Sequence, residues 1–249
     1  MAGHSKWASI KHKKAIVDSR RGQQFTKLAR AITVAAKDGG GDPSANAALT
    51  LAIQKAKDAS MPKDNIERAI ARGTGGGADA AAIETVLYEG YGPGGVALLV
   101  EALTDNRNRT SANVRHLFSK GGGSLGEPGS VAYLFDKKGV AIVDGEQYSE
   151  DDLLSAIEAG AEDVVADGDV IEVITEPGTL TEVRAAIEAD GITVRSSEVL
   201  YRPTVRTQVD EAQTRTLLKL IELLEGDDDV SEVHANFDVD DEILERVLA

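Results

Sequence analysis

No cysteine occurs among the 249 residues. Disulfides, thiolate zinc sites, iron–sulfur clusters and cysteine nucleophiles are therefore excluded together. The absence suits a reducing cytosol, the expected location. Aromatic residues make up 4% of the chain, so its cores must be built from Ala, Val, Ile and Leu. No apolar run approaches the roughly 18 residues of a membrane helix. Met1 to Lys14 is basic, but no apolar stretch of the secretory kind follows it. Gly3 and the scattered lysines also break the amphipathic pattern of a mitochondrial presequence, so the segment is read as part of the mature protein. His4, His12, His116 and His234 show no paired ligand spacing, and no metal site is expected. No phosphate-binding Gly-x-x-x-x-Gly-Lys-Ser/Thr loop exists. Gly90-Tyr91-Gly92-Pro93-Gly94-Gly95 has dinucleotide-loop spacing, but an apolar strand follows it where a helix is required, so it reads as a hairpin turn. No nucleophile stands beside a partnered base. Neither a cofactor nor a catalytic residue is expected.

What is present is charge, unevenly distributed. The chain has a net charge of −15, which taken alone argues against nucleic acid. The average conceals an asymmetry. Residues 1–72 carry 14 Lys/Arg against 6 Asp/Glu, a surplus of +8, while the remainder carries 13 against 36, or −23. A basic module of this kind attracts phosphates while the acidic body repels non-specific contact.

Periodicity organises the chain further. Residues 1–18 read as an extended or partly ordered tail. Phe25, Leu28, Ala29, Ile32 and Ala36 recur at helical spacing and predict a helix over 19–37, ended by Gly39-Gly40-Gly41. A second helix is expected to open at Asp42-Pro43, with Asp as N-cap and Pro in the first turn. A third should run from near Pro62 to Gly73. Residues 74–82 form a Gly/Ala-rich hinge. Strands follow over 84–91, 96–103 and 131–135, with a helix over 110–120 capped by Thr110 or Ser111. From Gly139 the order is strand, helix, strand, strand, helix, strand, the ferredoxin-like βαββαβ sequence. After Pro203 come a helix (210–225), a strand (230–237) and a last helix (240–248). The middle region before 136 has three strands and one helix, which leaves a sheet face bare, and the segment after 203 supplies what is missing. The expected class is α+β: a three-helix bundle followed by two α/β domains, one ferredoxin-like and inserted into the other. The expected boundaries are 1–78 for the bundle and tail, 79–135 with 204–249 for the discontinuous domain, and 136–203 for the insert. A linear order of domains remains the alternative.

The strongest local feature is the run Lys6, Trp7, Lys11, His12, Lys13 and Lys14, continued by Arg20, Arg21, Lys27 and Arg30. Such a patch either neutralises phosphates or is a solvated face; nucleic acid is favoured. Trp7 either stacks on a base or fills the thin core of the bundle, and packing is favoured for that residue. Asp105-Asn106-Arg107-Asn108-Arg109-Thr110 is a polar loop opening a helix. Arg107 and Arg109 either clamp a phosphate at the helix N-terminus or lie in an ordinary exposed loop, with no preference between the two. Glu150-Asp151-Asp152 reads as a helix start and Asp227-Asp228-Asp229 as a solvated turn. Lys137 and Lys138 are placed in a turn of the acidic body.

Five strings make the chain recognisable. Residues 1–14, Met61-Pro62-Lys63-Asp64-Asn65-Ile66-Glu67-Arg68-Ala69-Ile70, residues 88–96, residues 104–110 and Gly129-Ser130-Val131-Ala132-Tyr133-Leu134-Phe135 closely resemble the YebC/PmpR family. The resemblance implies three domains, with one α/β domain inserted in the other. It implies either DNA-binding transcriptional regulation or a role in translation, as in the mitochondrial translational activators and in rescue of ribosomes stalled on proline runs. It implies no catalytic residue. The expectation is a non-enzymatic nucleic-acid-binding regulator with no membrane partner and a monomeric state, with a ribosome-associated role slightly favoured over DNA because no base-reading helix-turn-helix is evident.

Overall fold

A computed structural model describes residues 21–75 and 83–248. The tail over 1–18 and most of the 74–82 hinge lie outside the described residues. In chain order the elements are α1 (Arg21–Gly39), α2 (Ala47–Asp58), α3 (Lys63–Thr74), β1 (Glu84–Tyr91), β2 (Ala97–Thr104), α4 (Arg107–Lys120) and β3 (Ser124–Leu125). Then come β4 (Phe135–Asp144), α5 (Leu154–Glu158), β5 (Ala161–Asp167), β6 (Val170–Thr175), α6 (Leu180–Ala189) and β7 (Val194–Pro203). Last are β8 (Thr207–Gln208), α7 (Glu211–Glu225), β9 (Val230–Ala235), β10 (Phe237–Asp238) and α8 (Asp241–Leu248). The fold is α+β, with helices first and antiparallel sheets after them. The chain divides into two compact units, one holding 21–75 and 137–200, the other 83–136 and 201–248.

In the first unit α1 packs on both α2 and α3. Leu28, Ile32 and Ala36, four residues apart, form one buried stripe and meet Leu49, Ala56, Met61, Ile66 and Ala69. The close approach of α1 and α3 explains Gly73. This glycine does not stop α3, as its type suggested. It lies inside the helix, where a Cβ would fall 2.4 Å from the Thr33 carbonyl and 2.8 Å from the Ala36 methyl. The Thr33 hydroxyl reaches the Ala69 carbonyl oxygen at 3.1 Å across the same contact.

Helix α2 begins later than expected. Asp42 makes a local turn, accepting from the Ser44 N–H at 2.9 Å, and the N-cap is Asn46. Asn46 Oδ1 accepts from the Leu49 N–H, while its amide donates to the Ala35 and Gly40 carbonyls at 2.8 Å each. One side chain thus caps α2 and ties down the end of α1. Asp42 cannot replace it, because those carbonyls require a donor.

The rest of the first unit is a four-stranded antiparallel sheet ordered β5-β6-β4-β7, with α5 and α6 inserted as the βαββαβ order demands. Ala141, Val143, Ile171 and Val173 project from its middle strands against Leu153, Leu180, Val183 and Ile187. The start of α5 is a 3₁₀ turn at Glu150–Leu153, locked by reciprocal bonds between Ser149 and Asp152. Leu51 of α2 joins this core. Beside it Arg184 donates to Asp58 at 3.0 and 3.3 Å and to the Ser197 hydroxyl at 2.7 Å, and Lys55 pairs with Glu198 at 2.6 Å.

The second unit is built on a sheet ordered β3-β1-β2-β9. The β1–β2 hairpin closes with Gly94 and Gly95 at φ 73° and 75°, a left-handed backbone that only glycine adopts freely. Both faces of β2 are buried. Leu98 meets Leu217 and Leu220 of α7 around Gly92, while Ala97 and Leu99 pack with Val131, Phe135 and Tyr201. α7 also packs on α4 and β9.

Segment 131–135 differs from its expected strand. Ala132–Leu134 is a 3₁₀ turn, and only Phe135 opens a strand, β4. β4 then runs without a break through Lys137 and Lys138, which are strand residues and not part of a turn. The strand expected at 230–237 is interrupted at Asn236, whose side chain bonds the Ala97 N–H at 2.7 Å and the Val205 carbonyl at 3.1 Å. Residues 237–238 pair instead with Thr207–Gln208 in a short parallel ladder.

Candidate nucleic-acid interface

Lys6, Trp7, Lys11, His12, Lys13, Lys14 and Arg20 lie outside the described residues, and Arg21 opens α1. Lys27 and Arg30 stand on α1, both half-buried. Lys37 occupies the last turn of α1, where its charge favours the helix C-terminus, and is exposed. Four further exposed cations belong to the bundle: Lys57, Lys63, Arg68 and Arg72. Sequence reasoning placed their helices but did not assign them to an interface. Lys63 sits 3.5 Å from Glu67, and Arg68 bonds the Asp64 carbonyl at 3.1 Å and the Asn65 side chain. The outer face of α3 therefore mixes cations with Asp64 and Glu67.

The other two candidates are in the second unit. α4 starts one turn earlier than expected: Asn106 is the N-cap, accepting from the Arg109 N–H at 3.1 Å. Thr110 and Ser111 are inside the helix. Thr110 is fully buried because its hydroxyl sits 2.8 Å from Asp229 Oδ2 and 2.7 Å from Thr104 Oγ1. Arg109 turns to the same carboxylate. Its Nη2 is 2.7 Å from Asp229 and 2.8 Å from Asp105, and its Nε is 3.3 Å from Asp229. These hydrogen bonds, Asp229 foremost and Asp105 next, hold the guanidinium above its ordinary pKa. Asp229 is 5% exposed, so it is a buried anchor of α4 rather than part of a solvated turn. Arg107 is more open, 3.7 Å from Glu84. The two arginines are thus drawn to different carboxylates.

Other titratable residues have structural surroundings. His234 is buried with its ring edge-on to Tyr201, 5.4 Å between centroids. Lys138 is held between Glu162, at 2.9 Å, and Glu176. Both carboxylates raise its pKa, Glu176 more strongly. Among the described residues no group of three or more His, Asp or Glu is placed to hold a metal ion. No helix among them is long and apolar enough to cross a membrane.

Comparison with known proteins places these features in a family. The sequence model of the TACO1/YebC protein N-terminal domain matches residues 5–76, and that of the TACO1/YebC second and third domain matches residues 83–237. A probable transcriptional regulatory protein of Rubrobacter xylanophilus is 54% identical over 248 residues, covering 99% of each chain. One from Acidothermus cellulolyticus is also 54% identical over 248 residues, covering 99% of this chain and all of its own. The crystal structure of a conserved hypothetical protein from Aquifex aeolicus superposes with a TM-score of 0.85 at 48% identity, covering 96% of this chain and 98% of that one.

Proposed function

This chain belongs to the TACO1/YebC family, and from that premise we propose that it is a non-enzymatic regulator of gene expression that binds nucleic acid through its N-terminal region. One observation carries the proposal. Residues 1–37 hold nine Lys/Arg against a single acid, Asp18, in a chain whose net charge is −15. Cations concentrated in that way displace condensed counterions from phosphates, and the acidic remainder adds little non-specific affinity. The contact set is Lys6, Lys11, Lys13, Lys14, Arg20, Arg21, Lys27 and Arg30, with Trp7 and His12 among them. Arg107 and Arg109 belong to a secondary contact, in which Arg109 contributes less because Asp229 and Asp105 share its charge.

The target we favour is RNA on the ribosome, which puts the work of the protein in the cytoplasm. A basic segment joined to a small bundle suits a surface recognised by shape and phosphate. The outward face of α3 suits base reading poorly, since Asp64 and Glu67 stand among its cations. DNA-binding transcriptional control is the second reading. It is favoured by the names of the relatives, and by the four-residue connection from α2 to α3, the length found in a helix-turn-helix. Co-sedimentation with ribosomes, run beside binding to duplex DNA at the same salt, separates the two. Ribosome association without duplex affinity is expected, and the reverse pattern overturns the RNA assignment.

A further inference from the structure

Helix α5 is apolar on two sides. Leu153, just before it, and Ala156 face inward and are fully buried in the core of the βαββαβ part. They complete the contact that α5 makes with its own sheet. Leu154 and Ile157, one helical turn apart, form a second apolar stripe and stay 66% and 46% exposed. A lone exposed apolar residue is ordinary. A short helix with two apolar sides has one more than its own core uses.

The surroundings of this pair carry charge of one sign only. Residues 139–183 contain 13 Asp/Glu and no Lys, Arg or His. Glu150, Asp151 and Glu158 stand three or four positions from Leu154, and all three are exposed. Asp151 and Glu158 meet no cation among the described residues. Cations from elsewhere in the unit are engaged: Lys138 with Glu162 and Glu176, Arg195 with Asp144 at 2.5 Å, and Arg184 with Asp58.

That charge decides among occupants. An acidic rim repels nucleic acid and anionic lipid alike. A second copy docked through the same face would set carboxylate against carboxylate. Strand addition is obstructed too. β5, on which α5 packs, is an edge strand, but its Val164 and Ala166 N–H groups are taken by Asp163 at 3.0 Å and Glu150 at 2.8 Å. What fits is a cationic protein segment that meets α5 through side chains.

We propose that the exposed side of α5 is a docking surface for a Lys/Arg-rich amphipathic helix of a partner protein. Its apolar side chains cover Leu154 and Ile157, and its cations meet Glu150, Asp151 and Glu158. An apolar centre within a charged rim is the anatomy of a protein interface, and a rim of one sign selects the partner by charge. The surface goes beyond the N-terminal nucleic-acid reading and does not depend on it.

The test is fluorescence anisotropy of a labelled synthetic helical peptide of leucine and lysine, titrated with the full chain. Leu154→Ser/Ile157→Ser should weaken binding by about tenfold to a hundredfold. Both side chains are exposed, so the core built on Leu153 and Ala156 is kept in that variant. Leu154→Met/Ile157→Leu keeps the apolar surface and should bind within about twofold of wild type. Asp151→Asn/Glu158→Gln should weaken binding by about twofold to thirtyfold and flatten its salt dependence. A matched peptide of leucine and glutamate should not bind. Full affinity in Leu154→Ser/Ile157→Ser, no binding by wild type, or equal binding of the acidic peptide overturns the proposal. Three further outcomes assign the face to another occupant and overturn it as well. One is a wild-type dimer in analytical ultracentrifugation that Leu154→Ser/Ile157→Ser abolishes. Another is tighter peptide binding by Lys11→Ala/Lys13→Ala/Lys14→Ala, which would give the face to the chain's own basic segment. The third is loss of affinity for a labelled oligouridine in Leu154→Ser/Ile157→Ser.

Discussion

Glu89→Gln is the most informative single perturbation of the second unit. The carboxylate divides its work unevenly: Oε1 accepts from Gly129, and Oε2 accepts from both Val131 and Ala132. Glutamine retains one oxygen, which should take the Oε2 position and keep two of the three bonds in weakened, uncharged form. Its NH₂ must then face the Gly129 N–H, donor against donor. Losing one charge-assisted bond and leaving a shielded donor unmet costs about 2–3 kcal/mol. For a chain of this size that corresponds to a fall in Tm of roughly 4–12 °C. A dependence on pH accompanies it. Burial alone would raise the Glu89 pKa, but the three backbone N–H groups together outweigh burial and hold it below the ordinary glutamate value. A depressed folded-state pKa gives stability that is fully present above the unfolded pKa. That stability is lost as pH falls through the folded value. Wild type should therefore lose its advantage over Glu89→Gln on acidification below the usual carboxylate range. Urea unfolding followed by circular dichroism at neutral pH and at a series of acidic pH values measures both effects. A difference under about 0.5 kcal/mol at neutral pH, or one that does not shrink in acid, would refute the assignment of Glu89 as the clamp of this loop.

The Arg184–Asp58 pair, with side chains 12% and 15% exposed, should resist removal of either partner. Each alanine variant is expected to lose about 2–3 kcal/mol, less than for a fully buried pair, and a double-mutant cycle should return a coupling of at least about 1 kcal/mol. A coupling near zero would mean that the two side chains contribute independently. Asn46→Ala removes a cap and two carbonyl partners at once and should destabilise the bundle by about 1–2 kcal/mol, read from the first unfolding transition. Asn46→Asp keeps the capping oxygen but offers the Ala35 and Gly40 carbonyls no donor, so it should not restore full stability; complete rescue would refute the dual role.

Local signals in the sequence reached most of the elements. The 28-32-36 stripe of α1, the Gly-Pro-Gly-Gly hairpin and the alternation of elements after 139 each depend on neighbours in the chain, and each is found in the structure. Departures occur where a distant partner decides. Helix α4 starts at Asn106 rather than Thr110 because Thr110 is drawn to Asp229, 119 residues away. Residues 131–134 form no strand because Glu89, far earlier in the chain, takes the Val131 and Ala132 N–H groups that a strand would offer to a neighbour. Asp42 has a better capping residue type than its role uses, since Asn46 alone supplies the donors that α1 needs. For the interface, charge asymmetry was legible at once, because it requires only counting. The commitment of Arg109 to two carboxylates was not, since one of them is 120 residues away.

The claim that binding energy resides in the basic N-terminus is tested most directly by a salt titration on one RNA ligand. With about six phosphates neutralised, wild-type affinity should fall on the order of a thousandfold between 50 and 200 mM salt. Replacing Lys11, Lys13 and Lys14 with alanine should weaken binding and reduce the slope of log affinity against log salt by up to about three units. Replacing Lys137 and Lys138 should change little, because Glu162 and Glu176 already occupy the Lys138 ammonium. An unchanged slope in the Lys11/Lys13/Lys14 variant, or a larger loss from the Lys137/Lys138 variant, would contradict the claim and move the binding face away from the N-terminus.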